Sequence, residues 1–160
     1  MATMLSRLGL TRATLAISLR TTVATVASLL LARALKLPEF YWAPISTIVI
    51  VLSTIPPLSL AWQRFAGTAM GAVLGAVLAT YAPNNWVVYG VGIFLCGVLS
   101  SIARHPGSYR FSAITLSIVL LIAHSNPAWI VAIHRFVEVS LGIAVALLVT
   151  VIWPVPTKAS

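Results

Sequence analysis

The chain has 160 residues, of which 60% are hydrophobic and only 8% are charged. Soluble domains carry about 25% charged residues, so this composition excludes a soluble globular domain and indicates an integral membrane protein. Ten Lys and Arg residues against two acids give a net charge of +8, but without a basic face with interleaved aromatic residues this charge does not indicate nucleic-acid binding.

Six apolar stretches approach the roughly 20 residues that a membrane-spanning helix needs. They predict an all-α membrane protein with six transmembrane helices joined by short turns rich in proline, glycine and asparagine. The boundary between the fifth and sixth helices is placed near residues 124–127, although a turn near His134 would match the first half of the chain better. The predicted helices cover residues 14–35, 42–60, 65–82, 86–103, 111–124 and 129–153.

The N-terminal segment has a second interpretation. Basic residues precede an apolar stretch and the small-x-small sequence at residues 32–34, which resembles a cleavable secretory signal. Arg20 interrupts that stretch, and cleavage would leave five helices, so we expect the first helix to be retained.

The distribution of basic residues predicts the orientation. A cytoplasmic N-terminus puts six basic residues on the inner side and only Arg33 and Lys36 on the outer side, which fits the positive-inside rule and places both termini in the cytoplasm. Tryptophans near the predicted helix ends, at positions 42, 86, 129 and 153, are typical of interfacial anchors. The six inner basic residues are Arg7, Arg12, Arg64, Arg104, Arg110 and Lys158.

Two segments of the chain match without a gap. In each, an Arg-Phe pair is followed by a glycine seven residues and a proline nineteen residues after the arginine. An apolar stretch that begins with a tyrosine precedes each arginine, and the interval from tyrosine to arginine is three residues longer in the second copy. The matching residues are Arg64, Phe65, Gly71 and Pro83 with Tyr41, and Arg135, Phe136, Gly142 and Pro154 with Tyr109.

This repeat predicts the organisation of the whole chain. We interpret residues 1–160 as a single transmembrane domain, with one repeat at about 14–83 and the other at about 86–154. Since three helices are an odd number, the second repeat enters the membrane from the opposite side. Transporters with such inverted repeats bind their substrates near the midplane where the halves meet.

Charged residues inside predicted helices are candidates for function because burying one costs on the order of 2.5–3.5 kcal/mol. Arg20, Arg64 and Arg135 could attract an organic anion, since a guanidinium binds a carboxylate with two hydrogen bonds. Each also has a structural interpretation: a helix-end contact for Arg20, positive-inside bias for Arg64 and an ion pair with Glu138 for Arg135. Glu138 is the only acid within a predicted helix and is therefore the candidate for proton coupling.

Glycines and prolines mark possible packing surfaces. Gly67, Gly71 and Gly75 recur every four residues and predict a close helix contact, within the chain or with another chain. Pro44 and the pair at 56–57 indicate a broken helix along a substrate path, a kink or an early helix end.

Residues for other chemistry are scarce. The three histidines lack metal-ligand spacing, the chain has no aspartate for a Ser/His/Asp triad, and no phosphate-binding glycine motif follows a strand. The single cysteine, Cys96, excludes an intrachain disulfide and a thiolate metal cluster. We therefore expect neither an enzyme nor a bound metal or other cofactor.

The sequence Tyr41-Trp42-Ala43-Pro44, followed by the segment 63–68 and Gly71, resembles the fusaric acid resistance family, which is related to the aromatic acid exporters. Leu37-Pro38-Glu39 and the segment 20–22 fit the same pattern, so the resemblance spans nearly the whole chain. It implies export of aromatic carboxylic acids or similar toxic weak acids across a bacterial inner membrane, driven by the proton gradient.

In this interpretation Tyr41 and Trp42 would stack on an aromatic ring, the arginines would attract the carboxylate and Glu138 would couple protons. Larger family members carry two six-helix blocks and a soluble region, so a chain with one block implies a homodimer or higher oligomer in the bilayer. A non-transporting membrane scaffold or accessory subunit, and a passive channel, are the alternatives.

Overall fold

A computed structural model describes residues 12–82, 85–121 and 127–154. These residues form six α-helices and one short 3-10 helix, with no strand among them, as expected for an all-α protein. The sequence features at Arg7, Pro83, His124 and Lys158 lie outside the described residues. The helices are α1 (Arg12–Ala34), α2 (Trp42–Val51), α3 (Pro57–Tyr81), α4 (Trp86–Ile102), α5 (Tyr109–Leu121) and α6 (Ala128–Ile152), and the 3-10 helix is Pro106–Ser108.

The helices differ in whether they can cross a bilayer. Of the described helices, α1 and α6 are both long and apolar enough to span it. Helix α3 has the same length as α6, 25 residues. Helix α2, with ten residues, reaches only about 15 Å at a rise of 1.5 Å per residue, and the thirteen described residues of α5 reach about 20 Å. Because the hydrocarbon core is about 30 Å thick, the expectation of a full span is not met for α2, which ends among the described residues.

The second and third predicted helices have wrong boundaries. The prediction continued the second helix to residue 60, but α2 ends at Val51, and Pro57 occupies the first turn of a new helix. Proline lacks an amide hydrogen and has a fixed φ, which suits the start of a helix. The proline pair therefore marks an early helix end, whereas Pro44 lies in the first turn of α2. The fourth and sixth helices agree with prediction to within one residue, and α6 runs unbroken through His134, so no turn lies there.

Helices α1 and α4 end in the same way. The second residue after each helix end, Lys36 or Arg104, has a positive φ, 53° and 58° respectively. Each donates its amide to a carbonyl three residues back, and the next residue, Leu37 or His105, donates to a carbonyl five residues back. This is the Schellman arrangement, in which glycine is the usual residue at the left-handed position.

We predict that Lys36→Gly raises stability because it relieves the left-handed strain of a residue with a Cβ, by about 1 kcal/mol. The thermal unfolding midpoint of the detergent-purified protein measures this. Lys36→Ala is the control, since it removes the same charge but keeps the Cβ. An Ala variant as stable as the Gly variant would contradict the prediction.

The long helices α3 and α6 form the centre of the bundle and run antiparallel. Phe65 and Phe136, matching residues of the two repeats, contact each other with ring centroids 4.9 Å apart. On the C-terminal side of Phe65 in α3, Ala72 clusters with Ala132 of α6. On its N-terminal side, Ala61 clusters with Val139 of α6. Later residues of α3 thus meet earlier residues of α6.

The remaining helices pack in corresponding positions on the central pair. Helix α5 packs along α3 and α2 along α6, while α4 lies against α5 and α3, and α1 against α2 and α6. Glycines permit the closest approaches, because a Cβ at Gly71 would overlap the Ser112 backbone and one at Gly142 would overlap the Ala43 carbonyl. Gly67 and Gly75 also face α5. The partner of the glycine row is therefore in the same chain.

Candidate functional site

Two buried arginines lie beside the Phe65–Phe136 contact at the centre of the bundle. Arg64 is the eighth residue of α3 and Arg135 the eighth residue of α6, with 8% and 2% of their surface exposed. The structural interpretation of Arg64 as a residue at a cytoplasmic helix start is therefore wrong, because α3 begins seven residues earlier than Arg64. Both charges are held inside the protein at neighbouring positions.

Arg135 lies in a cluster of charged and aromatic groups. Its Nη2 donates to Glu39 Oε2 at 2.9 Å, and its guanidinium lies 3.7 Å from the centre of the Trp42 ring. The backbone amide of Glu39 donates to Glu138 Oε1 at 2.8 Å. The ion pair that the structure shows for Arg135 is therefore with Glu39 of the α1–α2 loop and not with Glu138, as the spacing on α6 had suggested.

Several polar atoms of this cluster are buried without a partner among the described residues. They are Nε and Nη1 of Arg135, Oε2 of Glu138 and Nε1 of Trp42. Glu138 is fully buried. Buried polar groups without a hydrogen bond cost free energy, so this cluster has donors and an acceptor free for a ligand or a proton.

Arg64 has a different environment. Its Nη2 donates to Ser46 Oγ at 3.0 Å, its guanidinium lies 5.0 Å from the centre of the Phe111 ring, and its Nε has no partner among the described residues. Arg110 stacks on the same ring at 4.6 Å. Since the only two acidic side chains of the chain, Glu39 and Glu138, are joined at the Arg135 cluster, no carboxylate pairs with Arg64 within the part of the chain that the structure describes.

The structure does not bring Arg20 to this centre. Its Nη2 donates to the Val51 carbonyl at 3.1 Å and its Nη1 to the Trp153 carbonyl at 3.4 Å, at the C-terminal ends of α2 and α6. Trp153 follows Arg135 by eighteen residues, about 27 Å along the helix. Arg20 therefore has the contacts of a helix-end cap, which the negative end of the helix dipole favours.

We expect Arg20→Gln to lower stability by about 1–2 kcal/mol, since it removes a charged cap from two helix ends. Thermal unfolding in detergent gives the measurement. Arg12→Gln serves as the control because Arg12 is exposed at the start of α1. Equal midpoints for the two variants would show that the caps contribute nothing.

The two aromatic residues of the sequence motif have different surroundings. Trp42 is partly buried under Arg135, whereas Trp86 and Trp129 are 83% and 58% exposed and have positions suited to interfacial anchors. Tyr41 is exposed and its ring centre lies 5.6 Å from that of Trp42. Trp42 is therefore placed at the arginine, and Tyr41 at the surface beside it.

An open apolar groove of about 480 Å³ reaches Phe136, the residue after Arg135. It lies between α3, from Ala69 to Val77, and α6, from Trp129 to Phe136. Phe136 is one of its lining residues, whereas neither Arg64 nor Arg135 lines it. The groove is lined by alanines, valines, one isoleucine and aromatic residues, so an apolar ring would fit its chemistry.

Sequence reasoning did not identify Glu39, Ser46 or Phe111 as site residues. Glu39 and Ser46 contact arginines 96 and 18 positions away, and such contacts follow from packing. For Glu39 a signal was present, because an acid-poor interior with buried arginines requires counter-charges and the chain has only two acids.

Comparison with known proteins gives two matches. A family model described as fusaric acid resistance protein-like matches residues 23–149, which include both motifs of the resemblance. The inner membrane protein YeeA of Escherichia coli (strain K12) is 29% identical over 145 residues, covering 84% of this chain and 40% of that protein. The chain thus spans about two fifths of the length of this relative. No solved structure matches.

Proposed function

Since the chain belongs to the fusaric acid resistance protein-like family of membrane proteins, we propose that it is an inner-membrane transporter that exports aromatic carboxylic acids or similar weak organic anions. The observation that carries this proposal is the pair of buried arginines, Arg64 and Arg135, between aromatic rings at the crossing of α3 and α6. A guanidinium recognises a carboxylate and the rings offer stacking surfaces, which together suit an aromatic acid.

An inverted repeat underlies the proposed mechanism. The antiparallel course of α3 and α6, the contact between the matching residues Phe65 and Phe136, and the corresponding packing of the other helices support it. The short helix α2 and the helix α5 begin beside the buried arginines and run in opposite directions, α2 along α6 and α5 along α3. Discontinuous helices whose N-terminal ends point to an anion site at the repeat interface are a feature of such transporters.

Glu138 is the proposed proton-coupling residue. It is fully buried, and its Oε2 has no partner among the described residues. The cluster holds two carboxylates against one arginine, so a proton on Oε2 would remove an uncompensated buried charge. Protonation would also leave Arg135 with only Glu39 as a negatively charged partner, which links the proton to the electrostatics of the anion site.

Localisation follows from the same comparison. The relative's name describes an inner membrane protein, and we place this chain in a bacterial inner membrane. Both termini would be cytoplasmic, by the excess of basic residues on that side.

The proposal is tested in a bacterium that lacks its own exporters, by the accumulation of labelled benzoate at equal membrane levels of each variant. Wild type and Arg12→Gln are expected to lower accumulation relative to empty vector, and an uncoupler is expected to abolish the difference. Cells with Arg64→Gln or Arg135→Gln are expected to accumulate as much labelled benzoate as cells with empty vector. Export by both arginine variants at the wild-type rate would remove the anion site from the proposal.

The alternative is a non-transporting membrane scaffold or accessory subunit, since a close glycine-mediated helix contact and short connections would serve that role equally well. We propose a homo-oligomer, whose contact surface is not the Gly67–Gly75 row because α5 covers it. Crosslinking in membranes tests this, and a single species at the monomer mass would oppose it.

A further inference from the structure

The loop before α2 and the connection before α5 correspond residue by residue. Lys36 and Arg104 both adopt the left-handed conformation, and a proline two residues later and a tyrosine five residues later follow in each. By this correspondence Glu39, the partner of Arg135, has Gly107 as its counterpart. The loop that approaches Arg64 therefore has no acidic side chain at the matching position.

The second acid is missing in the same way. Arg64 aligns with Arg135, because each arginine is followed by a glycine seven residues later. In this alignment Glu138 corresponds to Gly67. Gly67 packs against the Ser108 carbonyl, at the end of the 3-10 helix. The two halves thus build the same arginine position, one with two carboxylates and the other with two glycines.

The consequence is an electrostatic asymmetry between two buried cations. Arg135 is neutralised by Glu39 at 2.9 Å. Among the described residues, Arg64 instead donates a hydrogen bond only to the Ser46 hydroxyl, and it shares the Phe111 ring with a second cation, Arg110. A buried charge without a counter-charge is costly. An anion from outside the protein would remove that cost at Arg64, but at Arg135 it would have to displace Glu39.

We infer that Arg64 is the subsite for the carboxylate of the transported anion, and that this carboxylate takes the place which the Glu39 side chain occupies at Arg135. The aromatic part of the ligand would lie against Phe111. This inference rests on the proposed function for the class of ligand, an aromatic carboxylate. It assigns Arg135 to the internal pair with Glu39 and leaves Arg64 as the arginine that contacts substrate.

Gly107→Glu tests the inference directly because it would supply the missing internal carboxylate. A Cβ at Gly107 would meet the end of the flexible Gln63 side chain, which has to move, and the backbone there does not require a positive φ. Gly107→Gln is the matched control, since it places the same bulk at the same position without the charge. Equilibrium binding of labelled benzoate to the detergent-purified protein is the readout.

Gly107→Glu is expected to weaken benzoate binding at least tenfold relative to Gly107→Gln, and Arg64→Gln to weaken it as strongly. Thermal unfolding provides a readout without ligand: Gly107→Glu should unfold at a higher temperature than Gly107→Gln in the wild-type background, and this advantage should disappear when Arg64→Gln is also present. Equal binding by the Glu and Gln variants, or an advantage independent of Arg64, would overturn the inference.

The outcomes separate this inference from the proposed function. If wild type binds no benzoate while the stability of Gly107→Glu depends on Arg64, the anion position stands and the aromatic-acid ligand is wrong. If wild type binds benzoate and Arg64→Gln binds it equally, the ligand class stands and the subsite is wrong. If both variants at position 107 fail to fold, the test is the benzoate affinity of Arg64→Gln compared with that of Arg12→Gln. Equal affinities would overturn the inference, and weaker binding by Arg64→Gln would support it.

Discussion

Replacing Glu138 with glutamine is expected to reduce export of an aromatic acid to the level of cells without the protein, while the protein still folds and inserts. The glutamine oxygen can accept the amide of Glu39 as Oε1 does at 2.8 Å, so the link between the α1–α2 loop and α6 is kept. What is lost is a group that can bind and release a proton, on which coupling depends. Labelled benzoate accumulation, with immunoblots of the membrane fraction, measures the effect.

Two variants control for the loss of charge beside Arg135. Glu138→Asp retains a titratable carboxylate and is expected to keep part of the activity. Glu39→Gln also removes one negative charge from the cluster, but its side chain is 29% exposed and lies in the loop, so export should persist. Export by Glu138→Gln at the wild-type rate would contradict proton coupling through this residue. Equal loss in the Glu138→Gln and Glu39→Gln variants would show that charge balance alone matters.

Replacing Gly71 with alanine is expected to destabilise the bundle by about 3 kcal/mol, at the upper end of the usual range for overpacking. A Cβ at this position would overlap the Ser112 backbone of α5, and a backbone cannot move aside as a side chain can. Gly142→Ala should have a similar effect against the Ala43 carbonyl of α2. The unfolding midpoint in detergent and the amount of folded protein in membranes are the measurements.

Gly90→Ala is the matched control for these two variants. Gly90 lies within α4, and a Cβ there would meet nothing within 4 Å. Alanine is favoured over glycine inside a helix by about 0.5–1 kcal/mol, so this variant should be unchanged or slightly more stable. If Gly71→Ala were as stable as Gly90→Ala, α3 and α5 would not be in backbone contact.

The sequence predicted the features that depend on composition and local pattern. The all-α class and the bounds of α4 and α6 follow from long apolar stretches bordered by turn residues. The matched Arg-Phe pairs pointed to the residues at the centre of the bundle, because Phe65 and Phe136 contact each other there. The Gly67–Gly75 row indicated a close helix contact, and the structure identifies α5 as the partner.

The features that were missed depend on long-range packing. Continuous hydrophobicity from Trp42 to Leu60 indicated one helix, since the turn between Val51 and Pro57 also contains apolar residues and only the proline pair signals it. The spacing of Arg135 and Glu138 indicated an ion pair on one helix face, whereas the α1–α2 loop brings Glu39 to the arginine. No local pattern could show that Arg20 would reach the ends of two other helices.

The most direct test of the account uses purified protein in liposomes with an acidic lumen. A weak acid that crosses a bilayer passively accumulates on the alkaline side, so uptake of labelled benzoate into an acidic lumen requires coupled exchange against protons. Wild-type protein is expected to give such uptake, sensitive to a protonophore, and Glu138→Gln and Arg64→Gln are expected to match protein-free liposomes. No uptake by wild type, or uptake unaffected by the protonophore, would contradict proton-coupled transport by this chain.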